Sequence, residues 1–168
     1  MFNGATPSDR LYALPPGGAP AGGPAVGRLP FRDAATMDGY VERLVRYETA
    51  PPADPGRRLF RFVTSEGRLL SRQIPPAYDV EVTYASLASP YLWPPPEFAD
   101  KVIRDLNEGS LFLTYVGHGF GQGFDRLRAG DVSYPILHVD QAPAVACRGV
   151  PPVVFVVACT TATFDEGS

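Results

Sequence analysis

The stretch LFLTYVGHG, residues 111–119, begins with a nearly continuous apolar run and ends with a histidine between two glycines. Such a run is typical of a strand that is buried on both faces of a parallel sheet. A second run, VVFVVA at residues 153–158, is the most β-prone segment of the chain, and Cys159 follows it. These two runs predict two neighbouring buried strands, each followed directly by a chemically active side chain.

Two helical patterns stand among the predicted strands. Apolar residues recur with the spacing of one helix face across residues 36–48, where Thr36 is suitably placed to cap the first turn. A second helix is predicted over residues 97–107, with Gly109 as a natural C-cap just beyond it. The apolar positions of the first helix are Met37, Tyr40, Val41, Leu44 and Val45.

Two further strands complete the predicted core. Residues 59–64 and 80–84 carry the β-branched, aromatic and alternating patterns of strands. Helices that stand between apolar strands favour an α/β fold with a mainly parallel sheet. The segment 13–25 is rich in proline, glycine and alanine, and this composition predicts a flexible loop. A length of 168 residues fits about one domain.

Composition and charge exclude several classes of function. The net charge of −3 and the absence of a basic run argue against nucleic acid as a partner. No apolar run approaches the roughly 20 residues that a transmembrane helix needs. The first ten residues lack the charged and then apolar order of a signal peptide, so this chain is expected to carry no export signal. Cys147 and Cys159 are too few for a disulfide framework.

The glycines around His118 allow two interpretations. A phosphate-binding loop would need glycine at a third position, where Gln122 stands, and the following segment reaches Gly130 too soon to form a crossover helix. The other interpretation places His118 at the carboxyl end of a buried strand, which is the edge where open parallel sheets bind ligands. The pattern therefore favours presentation of a histidine over nucleotide binding.

His118 and Cys159 would then lie at the same edge of the sheet. A thiol needs a nearby base to become a thiolate nucleophile, and histidine is the usual base. The spacing leaves a plainer reading open, because a cysteine after an apolar strand is most often a small buried hydrophobe. A histidine between glycines is also often a simple turn residue.

Other polar residues could bind a metal or orient His118 in the same region. His138 and Cys147 could join His118 and Cys159 in a zinc site, but their spacings match no standard zinc pattern. The carboxylates of Asp125 and Asp131 could orient the His118 ring, although such residues more often cap turns or helices. No metal and no other cofactor is expected.

The two strand ends resemble those of the gingipain-like cysteine peptidases, family C25, of the caspase-like clan. In that family one strand ends in Gly-His-Gly and a later strand ends in Cys, with Phe five residues further on, as in YVGHG at 115–119 and VFVVACTTATFD at 154–165. The supporting matches are the segments DRLY at 9–12, GRLP at 27–30, YE at 47–48 and NEG at 107–109. The resemblance covers residues 9–165.

The resemblance implies a caspase-like three-layer αβα fold and a cysteine endopeptidase that acts on peptides or proteins. His118 would be the catalytic histidine and Cys159 the nucleophile, and the backbone N–H groups of Gly119 and Cys159 would form the oxyanion hole. The domain of that family continues beyond its cysteine, so residues 1–168 are expected to be one incomplete peptidase domain. The resemblance also points to an extracellular or cell-envelope location.

Two departures keep an alternative open. Ala162 stands where many members have glycine, and the strand at 59–64 is not followed by the acidic pair that is common there. A catalytically inactive caspase-like module that binds a peptide or protein partner in the same cleft is therefore the second hypothesis. A structural α/β domain without a site is the third.

Overall fold

The computed structural model describes residues 27, 29, 31–51, 53–64, 70–90 and 92–161. The loop predicted at 13–25, Arg28 and Pro30 of the GRLP segment, and Ala162 lie outside these residues. The chain divides into two compact units, of which one holds Met1–Pro51 with Phe164–Ser168 and the other holds Pro52–Thr163. None of the helices in the described ranges is long and apolar enough to cross a membrane.

The first unit contains helix α1, Ala34–Thr49. Asp33 is its N-cap, and the Asp33 carboxylate accepts hydrogen bonds from the backbone N–H and the hydroxyl of Thr36, both at 2.8 Å. The backbone bond from Thr36, followed by its hydroxyl bond, holds the pKa of Asp33 below its ordinary value. The prediction of Thr36 as the cap was wrong by one turn, because Ala34 and Ala35 extend the helix without adding to its apolar stripe.

The second unit is built on a four-stranded parallel sheet. Its strands are β1 Leu59–Thr64, β2 Asp79–Thr83, β3 Phe112–Val116 and β8 Val153–Val157. Their order across the sheet is β2-β1-β3-β8, and one row runs from Thr83 through Val63 and Tyr115 to Val156. The prediction of an α/β fold with a mainly parallel sheet is therefore confirmed.

Helix α2, Phe98–Glu108, packs an apolar face into the core of this sheet. Its stripe is buried against β1 and β3, and Gly109 ends it with a backbone φ of 86°. Trp93 lies partly buried against the same core. The buried cluster consists of Val63, Phe98, Val102, Leu106, Leu113, Tyr115, Leu127 and Ile136.

The end of α2 touches the segment that leads into β8. The backbone N–H of Ser110 donates to the carbonyl of Val150 at 3.1 Å, and Gly109 forms a parallel bridge with Val150. Gly149 lies so close to the carbonyl of Glu108 that a side chain at this position would overlap it. Only glycine fits at this crossing of two backbones.

Gly149→Ala is expected to destabilise the protein by about 3 kcal/mol, because the new methyl group meets backbone that cannot rotate away. The measurement is the midpoint of urea unfolding. Gly121→Ala is the matched control, since a methyl group there meets no atom within 4 Å. Equal stability of the two variants would contradict the tight crossing.

Strand β8 differs from its prediction in one respect. Its residues were expected to be buried on both faces, but each of them is 40–60% exposed. The strand occupies the edge of the sheet, and within the described ranges no strand pairs with its outer side. An apolar run therefore located the strand correctly, but it could not distinguish a central position from an edge.

A cluster of charged side chains is held between β1, β2 and α2. Arg61, Lys101 and Asp105 are buried, and the Lys101 ammonium lies 2.7 Å from Glu81 and 2.5 Å from Asp105. The Arg61 guanidinium lies 3.1 Å from Glu81, 3.3 Å from Asp105 and 2.8 Å from Glu108. Burial raises the pKa of Asp105, against the opposing effect of Lys101.

The Glu81 carboxylate in this cluster gives the stability a component that depends on pH. Burial alone would raise the pKa of Glu81, but the hydrogen bond and charge of Lys101, together with Arg61, hold it below its ordinary value. An acid whose pKa is lower in the folded protein stabilises the fold above its unfolded pKa and loses that effect as the pH falls. The advantage of wild type over Glu81→Gln in unfolding free energy should therefore shrink as the pH falls from 7 through 4.

Urea unfolding of both proteins at several pH values measures this difference. Glu97→Gln serves as the control, because it removes an exposed carboxylate outside the cluster. A constant difference between wild type and Glu81→Gln over the whole range would contradict the assigned direction.

Candidate active site

His118 is exposed and follows β3 by two residues. Its backbone is fixed by Tyr115, the next-to-last residue of the strand, which is only 1% exposed. The Tyr115 hydroxyl donates to the carbonyl oxygen of His118 at 2.5 Å and accepts from the backbone N–H of Asp125 at 3.2 Å. Burial raises the pKa of Tyr115, so its phenol stays protonated and able to donate at neutral pH.

Gly117 allows the chain to turn tightly over that phenol. A methyl group on Gly117 would lie 2.6 Å from the hydroxyl oxygen of Tyr115, which is closer than van der Waals contact permits. The ring of Tyr115 is also stacked on Phe124, with centroids 3.9 Å apart. Strand, turn and ring together hold the histidine segment in one position.

Two short hairpins follow His118 in place of a crossover helix. The first pairs β4, Gly119–Phe120, with β5, Gly123–Phe124. The second pairs β6, Arg126–Ala129, with β7, Val132–Pro135. This arrangement agrees with the rejection of a phosphate-binding loop, which would have required a helix here.

Cys159 follows β8 by two residues and is exposed. The Cys159 backbone lies next to the histidine segment, because β3 and β8 are parallel neighbours in the sheet. The N–H of Gly117 donates to the carbonyl oxygen of Val157 at 3.2 Å. A methyl group on Gly119 would lie 2.7 Å from the carbonyl oxygen of Cys159. The two segments that bear His118 and Cys159 are thus in backbone contact at the carboxyl edge of the sheet.

Thr160 joins the two segments by a further bond. Its hydroxyl donates to the carbonyl oxygen of Gly119 at 3.2 Å. The backbone φ of Thr160 is +53°, in the left-handed region that β-branched residues rarely adopt. Strain of this kind persists only where the surroundings enforce it, and it is common at functional sites.

The two cysteines have different surroundings. Cys147 is half-buried, and its N–H donates at 3.1 Å to the Asn107 side chain, on the last turn of α2. Cys159 is exposed, so the reading of this residue as a small buried hydrophobe was wrong. Neither thiol forms a disulfide.

The other polar residues have local roles. The N–H of Asp125 binds Tyr115, and its carboxylate accepts from the N–H of Arg126 at 2.7 Å. Asp131 lies in the turn between β6 and β7. His138 caps the short 3-10 helix Val139–Ala144. Orientation of His118 by Asp125 or Asp131 stays a prediction.

Within the described ranges, no three or more His, Cys, Asp or Glu residues are grouped so that they could hold a metal ion.

Two features of the site were not predicted from the sequence, the bonds of Tyr115 and the contact of Gly119 with Cys159. A tyrosine near the end of an apolar strand, two residues before a turn rich in glycine, was the available signal for the first.

The structure brings the segments that carry His118 and Cys159 together at one edge of an α/β fold. The chain matches the family model described as peptidase family C25 over residues 2–168. It therefore belongs to peptidase family C25, a family of cysteine peptidases, and the gingipain-like resemblance is confirmed. The parallel sheet with its helices is consistent with the caspase-like αβα fold of that clan. No curated protein and no solved structure matches the chain.

Proposed function

We propose that this chain is a cysteine endopeptidase domain in which Cys159 is the nucleophile and His118 is its general base. The observation that carries the proposal is the backbone contact between Gly119 and Cys159 at the carboxyl edge of the sheet. Both proposed catalytic residues are exposed there, within reach of a peptide substrate. Membership of family C25 gives the substrate class, which is peptides or proteins.

The reaction begins when the His118 imidazole takes the proton of the Cys159 thiol. The thiolate attacks the carbonyl carbon of the peptide bond and forms a tetrahedral intermediate. The imidazolium returns its proton to the amine, which leaves as the C–N bond breaks, and a thioester remains on Cys159. Water then attacks the thioester carbonyl, with His118 as the base, and releases the carboxylic acid and the free thiol.

The negative charge of the intermediate needs fixed hydrogen-bond donors. In the proposed mechanism the backbone N–H groups of Gly119 and Cys159 are these donors. Their segments touch and are bonded to each other through Thr160, so the two groups require little reorganisation during the reaction. Preorganised donors of this type are usually the largest single contribution to catalysis of acyl transfer.

Selective alkylation tests the proposal. The protein is treated with an arginyl or lysyl acyloxymethyl ketone, since basic residues precede the cleaved bond in the best-known relatives, and the modified cysteines are identified by mass spectrometry. Modification of Cys159 with Cys147 left intact is the expected result. Equal modification of both cysteines, or of neither, would overturn the proposal in favour of a module that binds without catalysis.

A further inference from the structure

We propose that Tyr115 is a positioning residue that aims the backbone N–H of Gly119 at the oxyanion. This inference rests on the proposed function, in which that N–H is one of the two donors. Tyr115 itself lies in the core of the sheet and is only 1% exposed, so it acts through the chain that it holds and does not touch the substrate.

The peptide unit between His118 and Gly119 has a fixed direction. The structure contains no cis peptide bond in its described residues, so the carbonyl and the N–H of this unit point in opposite directions. The Tyr115 hydroxyl binds the His118 carbonyl oxygen at 2.5 Å and so fixes its direction. The N–H of Gly119 is therefore directed away from Tyr115.

The peptide unit after Gly119 is also held by a hydrogen bond. Its carbonyl oxygen accepts from the hydroxyl of Thr160, which follows the proposed nucleophile. The peptide unit before Gly119 is thus held by Tyr115 of strand β3, and the peptide unit after Gly119 is held by Thr160, which follows Cys159. Glycine is the residue with the greatest backbone freedom, so these two bonds supply an order that its own conformation cannot.

The Tyr115 hydroxyl is itself held in place by its surroundings. It accepts from the N–H of Asp125 while it donates to His118, so both partners fix its position. The stack of its ring on Phe124 holds the phenol from the side. A single buried oxygen therefore bonds to both ends of residues 117–125, in addition to the β4–β5 pairing, and holds the peptide unit that carries the proposed donor.

Two reagents separate the aiming of this donor from the reactivity of the thiol. With p-nitrophenyl acetate, the thiolate forms a thioester and expels p-nitrophenolate through a tetrahedral oxyanion, which the donor stabilises. With iodoacetamide, the thiolate forms a C–S bond to carbon and expels iodide, and no oxyanion forms. Both reactions are followed at Cys159 by quenching and mass spectrometry, with Cys147 as the internal reference.

Tyr115→Phe removes the hydroxyl and keeps the ring. Acylation of Cys159 is expected to slow by about 10-fold or more, a part of the 10²-fold to 10³-fold loss seen when such a donor is removed entirely. Alkylation by iodoacetamide should stay within about twofold of wild type, because the rate of this reaction follows the thiolate. This change in the ratio of the two rates would support the inference.

An unchanged ratio of acylation to alkylation rates in Tyr115→Phe would overturn the inference, whether both rates stay at the wild-type value or both fall together. If wild-type Cys159 is acylated no faster than Cys147, the proposed function fails and the role of Tyr115 fails with it. The two failures are distinguishable, because the first appears only in the variant and the second already appears in wild type.

Two further variants protect the test against a loss of folding. Gly117→Ala keeps the tyrosine at position 115, but the new methyl group would push its hydroxyl out of position. The same change in the ratio of acylation to alkylation rates is therefore expected. Tyr78→Phe removes a hydroxyl beside Phe60, far from the strand ends at issue, and should leave the ratio unchanged. Far-ultraviolet circular dichroism confirms that each variant is folded, and a Gly117→Ala variant with the wild-type ratio would count against the inference.

Discussion

Cys159→Ala is expected to reduce peptide hydrolysis by about 10⁴-fold or more, since loss of a nucleophile removes the whole covalent route. His118→Ala should cost about 10²-fold to 10⁴-fold, the usual contribution of a general base. The double variant should be no worse than Cys159→Ala alone, because the base has no function without the thiol. Hydrolysis of peptidyl aminomethylcoumarin substrates that end in Arg or Lys measures all three.

The control for these variants is Cys147→Ala, which removes the other thiol and should retain wild-type activity. The cause of the His118→Ala effect can be checked independently of substrate. Alkylation of Cys159 by iodoacetamide near neutral pH should slow in this variant, because the imidazole that takes the proton of the thiol is missing. Wild-type hydrolysis by either single variant would refute the assigned pair.

Gly119→Ala is expected to lower kcat by about 10²-fold to 10³-fold, the cost of losing one donor to the oxyanion. The added methyl group would lie 2.7 Å from the Cys159 carbonyl oxygen and still closer to the Thr161 side chain. Relief of this overlap must move the two strand ends apart, which displaces both proposed donors. Catalysis should therefore fail more severely than stability.

The paired control is Gly121→Ala, two residues further along, where the added methyl group has open space. Its kcat and its urea midpoint should match those of wild type. For Gly119→Ala, kcat, KM and the urea midpoint are measured on the same preparation. Retained kcat would show that the contact of Gly119 with Cys159 does not matter for the reaction.

The sheet was largely predictable because its strands are consecutive apolar or alternating runs. The predicted strand at 59–64 matches β1, and the other three differ by about one residue from β2, β3 and β8. Burial was less predictable, because it depends on neighbours in space. β3 lies between β1 and β8, whereas β8 has a described partner on one side only.

The site was predictable only in part. The sequence placed His118 and Cys159 after neighbouring strands, since strand ends are visible in the pattern and parallel strands end at one edge. The fit of Gly119 against Cys159 joins residues that are distant in sequence, and no local pattern encodes it. The bonds of Tyr115 reach His118 and Asp125, which are near in sequence, but they depend on the path of residues 117–125, for which the sequence offered only the position of the tyrosine as a signal.

Among the residues that the structure describes, no strand pairs with the outer edge of β8, and such an edge can affect how a protein behaves as its concentration rises. An apolar edge strand without charged residues can pair with the same strand of another molecule, as in the first step of aggregation. Cys159 stands two residues beyond that edge. Self-association through β8 would therefore also hide the thiol, so reactivity per molecule would be highest in dilute solution.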